Sequence, residues 1–220
     1  MESSPQRLAG LTLAEFSERL ASAEPVPGGG SAAAVTGSIA ASLLAMVGRL
    51  TLDRPKYEPY RSTNERAVVD GDRGRSVLLE LADQDSVAYA AFAAARRMPR
   101  DTVEQQQARD EATAAAARVA SEVPLDIVKE CALILDEVSA MSGRSNLNAS
   151  SDLEVAARLS AAAARGAAAN VLINLPMVGD EAYSGTTKAE LSKILRDVDR
   201  VLANVTQMVG HGTLREPESQ

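Results

Sequence analysis

From Pro25 to Gly48 the chain carries no charged side chain, and most of that run is Gly, Ala, Ser and Thr. An uncharged helix of this length has to be surrounded, by lipid or by other parts of the protein. Small residues gain too little on transfer to a bilayer, and the larger apolar ones, Leu43, Leu44, Met46 and Val47, come late. The expectation is therefore a helix enclosed by other helices. Ala33, Gly37, Ala41 and Ala45 recur every fourth residue, which would let neighbours pack closely along one face. Composition agrees: 45% of residues are hydrophobic but only 3% are aromatic, with no Trp, and alanine dominates. Such a chain favours helices and lacks the β-branched and aromatic content of strands. The predicted class is all-α, an antiparallel bundle of long helices around a buried alanine-rich central helix.

Punctuation along the chain divides it. Thr12 and Glu15 form a capping box ahead of a first helix over about 13–22. A second helix runs to about Leu52, where Asp53-Arg54-Pro55 breaks it. A third spans about Pro59 to Arg97, with a bend or break expected near Gly71 and Gly74. Asp101 or Thr102 opens a fourth that reaches about Met141, and Pro124 inside it predicts a kink or restart. A polar connector over 144–152 leads to a fifth helix ending near Leu175, and a sixth is expected to open at Thr186 or Thr187. Residues 1–220 are expected to form one domain, ordered over about 10–205, with a disordered tail over 211–220.

Charge and motifs limit the chemistry. A net charge of −7 without a basic stripe argues against nucleic acid or an anionic membrane as partner. The N-terminus lacks a basic stretch followed by an apolar run, so a cytoplasmic location is expected. The single cysteine, Cys131, sits among apolar neighbours and reads as core. No phosphate-loop, dinucleotide or metalloprotease signature is present, and the one histidine, His211, falls in the expected tail. Acid–base work then falls to carboxylates or lysine, and Asp83, Asp85 and Lys56 are candidates. The Pro25-Val26-Pro27-Gly28-Gly29-Gly30-Ser31 loop is open to two readings, a tight turn or a helix N-terminus that cradles an anion. The connector amides of Asn146 and Asn148 suit a ring with mixed donors and acceptors, or equally a helix cap.

Taken in order, several fragments resemble one family. They are the Pro27 to Ser31 loop, Lys56-Tyr57, Asp85 ahead of Ala88-Tyr89, Asn146-Leu147-Asn148 with Ser151-Asp152, and Asn170 with Asn174. Together they resemble the formiminotransferase-cyclodeaminase and methenyltetrahydrofolate cyclohydrolase family over about residues 10–205. The resemblance implies an all-helical homodimer acting on a tetrahydrofolate derivative, without the separate transferase domain and with no metal or redox cofactor needed. It implies Asp85 as proton acceptor and donor, with Lys56 assisting. Pro27, Gly28, Gly29, Gly30, Ser31, Tyr57, Asn146, Asn148, Ser151, Asp152, Asn170 and Asn174 would bind substrate. A cyclohydrolase is the first expectation; a cyclodeaminase, or a non-catalytic folate-binding dimer, is the alternative.

Overall fold

Long helices bury alanine faces against one another in a computed structural model that describes residues 7–218. Six α-helices and no strand occur among them: α1 Leu13–Leu20, α2 Gly29–Leu52, α3 Arg61–Arg96, α4 Val103–Met141, α5 Ser150–Asn174 and α6 Glu181–His211. Glycine contacts fix the register of α2 against α3. Gly30 lies against Asp85, Gly37 against Leu78, and Gly71 against Ala41 and Ala45, so the pair is antiparallel. Arg66 with Glu137 and Arg73 with Glu130 set α3 antiparallel to α4. Ser160 donates to the Cys131 carbonyl, and Gly29 abuts Asn170, which makes α5 antiparallel to both α4 and α2. Helices α2 to α5 thus form an up-down-up-down ring, with α6 lying against α4 and α5.

Helix α2 is the enclosed element. By length and composition it could cross a membrane, but 61% of its apolar window is buried inside the protein. Ala33, Gly37, Ala41 and Ala45 are all buried. Helix α3 runs unbroken through Gly71 and Gly74. A Cβ at Gly71 would stand 2.7 Å from the Ala41 carbonyl oxygen, so this glycine is there for close approach of two backbones. Cys131 is buried as expected, and burial, with a smaller push from Glu130, raises its thiol pKa to about 12.

Three further expectations are corrected. Helix α4 continues through Pro124 without a restart. Proline cannot donate to the carbonyl four residues back, that of Ala120, and Asn174 Nδ2 supplies the missing donor at 2.6 Å. Helix α6 opens at Glu181, capped by Asp180 through the Tyr183 N–H at 2.9 Å, while Thr187 is buried inside it. The tail is docked through residue 218. Arg215 N–H donates to the Gly143 carbonyl at 2.7 Å, Tyr60 Oη donates to the Arg215 carbonyl at 2.8 Å, and Glu218 pairs with Arg66 at 2.9 Å. His211 closes the last turn of α6.

Candidate active site

The glycine loop has one structural purpose visible at once. Helix α2 begins at Gly29 with Gly28 as a cap that has no side chain, so its first N–H donors need another partner. Asp85, reaching over from α3, provides it. Ser31 donates to the Asp85 carboxylate through both its backbone N–H and its hydroxyl, the latter at 2.9 Å. A Cβ on Gly30 would fall 2.6 Å from Asp85 Cγ, so only glycine admits the carboxylate here. The loop is therefore an anion cradle, and the anion is the chain's own Asp85.

Burial is the largest influence on Asp85 and raises its carboxyl above the usual range, while the two Ser31 hydrogen bonds pull it back. A half-buried carboxyl balanced this way suits general acid–base use. Asp83 is directed elsewhere. It accepts from the Leu8 N–H at 2.6 Å and from Arg7 at 2.9 Å, tying the N-terminal segment to α3. Beside these residues lies a cavity of about 790 Å³ between α3 and α4, reached by Pro27 and Ser86 and walled by Val87, Ala91 and Val119.

The expected site residues fall into two groups. Pro27 to Ser31, Asp85 and Asn170 gather at the N-terminal end of α2, where Asn170 Nδ2 lies 3.5 Å from the position of a Gly29 Cβ. Asn174 is at the same end, but its amide is spent on the Ala120 carbonyl. Ser31 is 0% exposed and so touches Asp85 instead of a substrate. Lys56, Tyr57, Asn146, Asn148, Ser151 and Asp152 follow the other end of α2. There the Asn146 N–H donates to Thr51 at 3.0 Å, and the Leu147 N–H to the Tyr57 hydroxyl at 3.2 Å. Asn146 is buried and its Oδ1 caps the turn through the Asn148 N–H. Lys56 is exposed, 5.5 Å above the Tyr57 ring, and Asn148 and Ser151 are exposed beside it. A helix of α2's length spans about 36 Å, so Lys56 and Asp85 do not meet within one chain. Ser86, whose hydroxyl is 3.1 Å from that of Ser31, was not singled out from sequence, because a serine after an aspartate on a helix carries no signal.

No cluster of three metal-ligating side chains occurs among the described residues. An all-helical bundle with a half-buried, serine-held carboxyl seated on a helix N-terminus is the class of protein defined here. Comparison with known proteins makes it specific. A model of the formiminotransferase-cyclodeaminase family matches residues 12–193, and the chain belongs to that family. It is 30% identical over 198 residues to the methenyltetrahydrofolate cyclohydrolase of Methylorubrum extorquens, covering 90% of this chain and 95% of that one. It is 32% identical to the formimidoyltransferase-cyclodeaminase of Sus scrofa over 87% of this chain, which spans 36% of that longer protein. The crystal structure of formiminotetrahydrofolate cyclodeaminase from Thermotoga maritima superposes with a TM-score of 0.84 at 27% identity, over 93% of this chain and 98% of that one.

Proposed function

We propose that the protein is a cytoplasmic methenyltetrahydrofolate cyclohydrolase that works as a homodimer and needs no metal or redox cofactor. The observation that carries the reading is the Asp85 carboxyl, held at the α2 N-terminus with its pKa raised. Water adds to the methenyl carbon while Asp85 takes one of its protons. The tetrahedral carbon then expels N5, which receives that proton, and the second proton leaves to solvent as the formyl carbonyl forms on N10. Support for hydrolysis over deamination comes from the relative named a cyclohydrolase, which this chain matches over nearly its entire length. The deaminase reading is kept because the Thermotoga maritima structure is matched over 98% of its length. Net charge supports a small-molecule substrate over a nucleic acid or membrane.

A two-fold partner belongs to the reading. Helices α2 and α5 pack side by side and leave Ile39, Met46, Leu50, Val155, Leu172 and Ile173 exposed. An isologous copy laid antiparallel on this face brings the Asp85 end of one chain beside the Lys56 end of the other. Lys56 then stands across the interface as a cation opposite the carboxyl, with Tyr57, Asn148, Ser151 and Asp152 on the facing wall.

The primary test is decay of methenyl absorbance above the spontaneous rate, with ammonia release from 5-formiminotetrahydrofolate measured in parallel. Asp85→Asn is expected to abolish the enzymic rate with the fold intact. Ammonia release without accelerated methenyl decay overturns hydrolysis in favour of deamination, and neither activity overturns the enzyme reading. Mixing Asp85→Asn with Lys56→Ala tests the shared site. Random reassortment places both lesions in one site of each mixed dimer, so about a quarter of wild-type activity returns. No recovery would mean that the two residues do not share a site across the interface.

A further inference from the structure

The Ser31 hydroxyl is surrounded by three oxygens: the Ala82 carbonyl at 3.0 Å, Asp85 Oδ2 at 2.9 Å and Ser86 Oγ at 3.1 Å. It is also fully buried, so water does not supply a fourth partner. A hydroxyl has one proton to donate and two lone pairs. The Ala82 carbonyl only accepts, and so does an ionised carboxylate, so Ser31 serves one of them at a time.

We propose that Ser31 is a two-position hydroxyl switch that keeps Asp85 hydrogen-bonded in both of its protonation states. With Asp85 ionised, Ser31 donates to Oδ2 and accepts from Ser86. With Asp85 protonated, the carboxyl O–H donates to Ser31, which turns its own proton to the Ala82 carbonyl. The Ser31 proton rotates and is not consumed; the proton that Asp85 gains from water is held against Ser31 between the two steps and swings out about the carboxyl C–O bond to the leaving nitrogen. The carboxyl can therefore act as base and then as acid without a buried donor or acceptor going unmade at either stage. Within one chain, no charged group among the described residues competes at this position, and the facing cation is the Lys56 of the dimer proposed above. Helix α2 has none from Gly29 to Gly48, α5 presents the neutral Asn170, and Asp83 is engaged by Arg7 and Leu8. Ser31 is thus a positioning residue acting through Asp85, and the inference rests on the function proposed above.

The test compares Ser31→Ala and Ser31→Cys with the wild-type dimer, following methenyl decay across pH. Ser31→Ala removes the donor to the ionised form. The acid limb of the rate profile is expected to move to higher pH, and kcat to fall on the order of 10- to 100-fold with KM little changed. Ser31→Cys keeps the shape but donates weakly, so it falls between the two, and it serves where the alanine variant does not fold. A Ser31→Ala enzyme with the wild-type kcat and limb overturns the switch while leaving the cyclohydrolase reading intact. A loss expressed only in KM, with the limb unmoved, overturns it as well. A wild-type protein no faster than the spontaneous reaction overturns both.

Discussion

Gly30→Ala is expected to separate catalysis from stability. The added methyl would stand 2.6 Å from Asp85 Cγ and 2.7 Å from Oδ2, where an ordinary contact begins at 3.4 Å. Oδ1 overlaps the methyl most closely of all, so the carboxyl must retreat by about 1.3 Å, which stretches its 2.9 Å bond from Ser31 beyond hydrogen-bonding range. Two stability effects oppose each other. Overpacking costs about 1–3 kcal/mol, whereas alanine for glycine inside a helix returns about 0.5–1 kcal/mol. Because the obstacle is the end of a side chain that can rotate, the net loss is expected within about 2 kcal/mol. Turnover has no such compensation, and a displacement near 1 Å at a reacting group costs on the order of 100-fold. Circular dichroism melts should show a folded variant, and methenyl decay corrected for spontaneous hydrolysis should show the activity largely gone. A variant with wild-type kcat would refute the claim that Asp85 must sit against the α2 N-terminus to work.

Other consequences are open to measurement. Burial raises the Asp85 carboxyl in the folded state, so its protonated form is favoured there. That stability is fully present below the unfolded value of about 3.9 and is lost as pH rises through the folded one. Asp85→Asn should accordingly melt higher than wild type at pH 7, with the gap closing toward pH ~3.5; a gap independent of pH would contradict this. Asn174→Ala should cost about 1–3 kcal/mol by orphaning the Ala120 carbonyl, and much less in a Pro124→Ala background, where the restored N–H takes over. Equal costs in the two backgrounds would rule out this pairing. Gly185→Ala, in α6 with open space around it, should stabilise by about 0.5–1 kcal/mol and leave turnover unchanged.

What could be read from sequence was whatever is decided locally or by bulk burial. The uncharged run named the buried helix, the capping box at Thr12 marked one start, Thr102 was one of two caps expected for α4, and the buried Cys131 followed from its neighbours. Failures came where a distant partner settles a local ambiguity. Pro124 reads as a break until Asn174, 54 residues beyond the orphaned Ala120 carbonyl, supplies the donor. Gly71 reads as a weak point until the Ala41 backbone is found against it. Asp83 and Asp85 look like a pair, yet one holds the N-terminal segment and the other the α2 terminus. The tail reads as disordered because its polar side chains suggest nothing, although Tyr60, Arg66 and Gly143 all bind it.

The candidate site was recognisable as a set of motifs but not as a place, and the topology explains the difference. Each of α2, α3, α4 and α5 runs the length of the bundle, so each motif in chain order lies at the opposite end from the one before. The loop at 28–31 is at one end, Lys56-Tyr57 at the other, Asp85 back at the first, Asn146 to Asp152 at the second, and Asn170 at the first again. No bend within one chain can gather an alternating set, because α2 alone holds the ends about 36 Å apart. The antiparallel two-fold copy proposed above would gather it without distortion and produce two equivalent sites. Dissociation should therefore abolish turnover even where each chain stays folded. Charged substitution at Ile39 or Met46, both exposed on α2, is the direct way to impose it. A folded monomer that retained full kcat would show that Asp85 and its own end of the helix suffice.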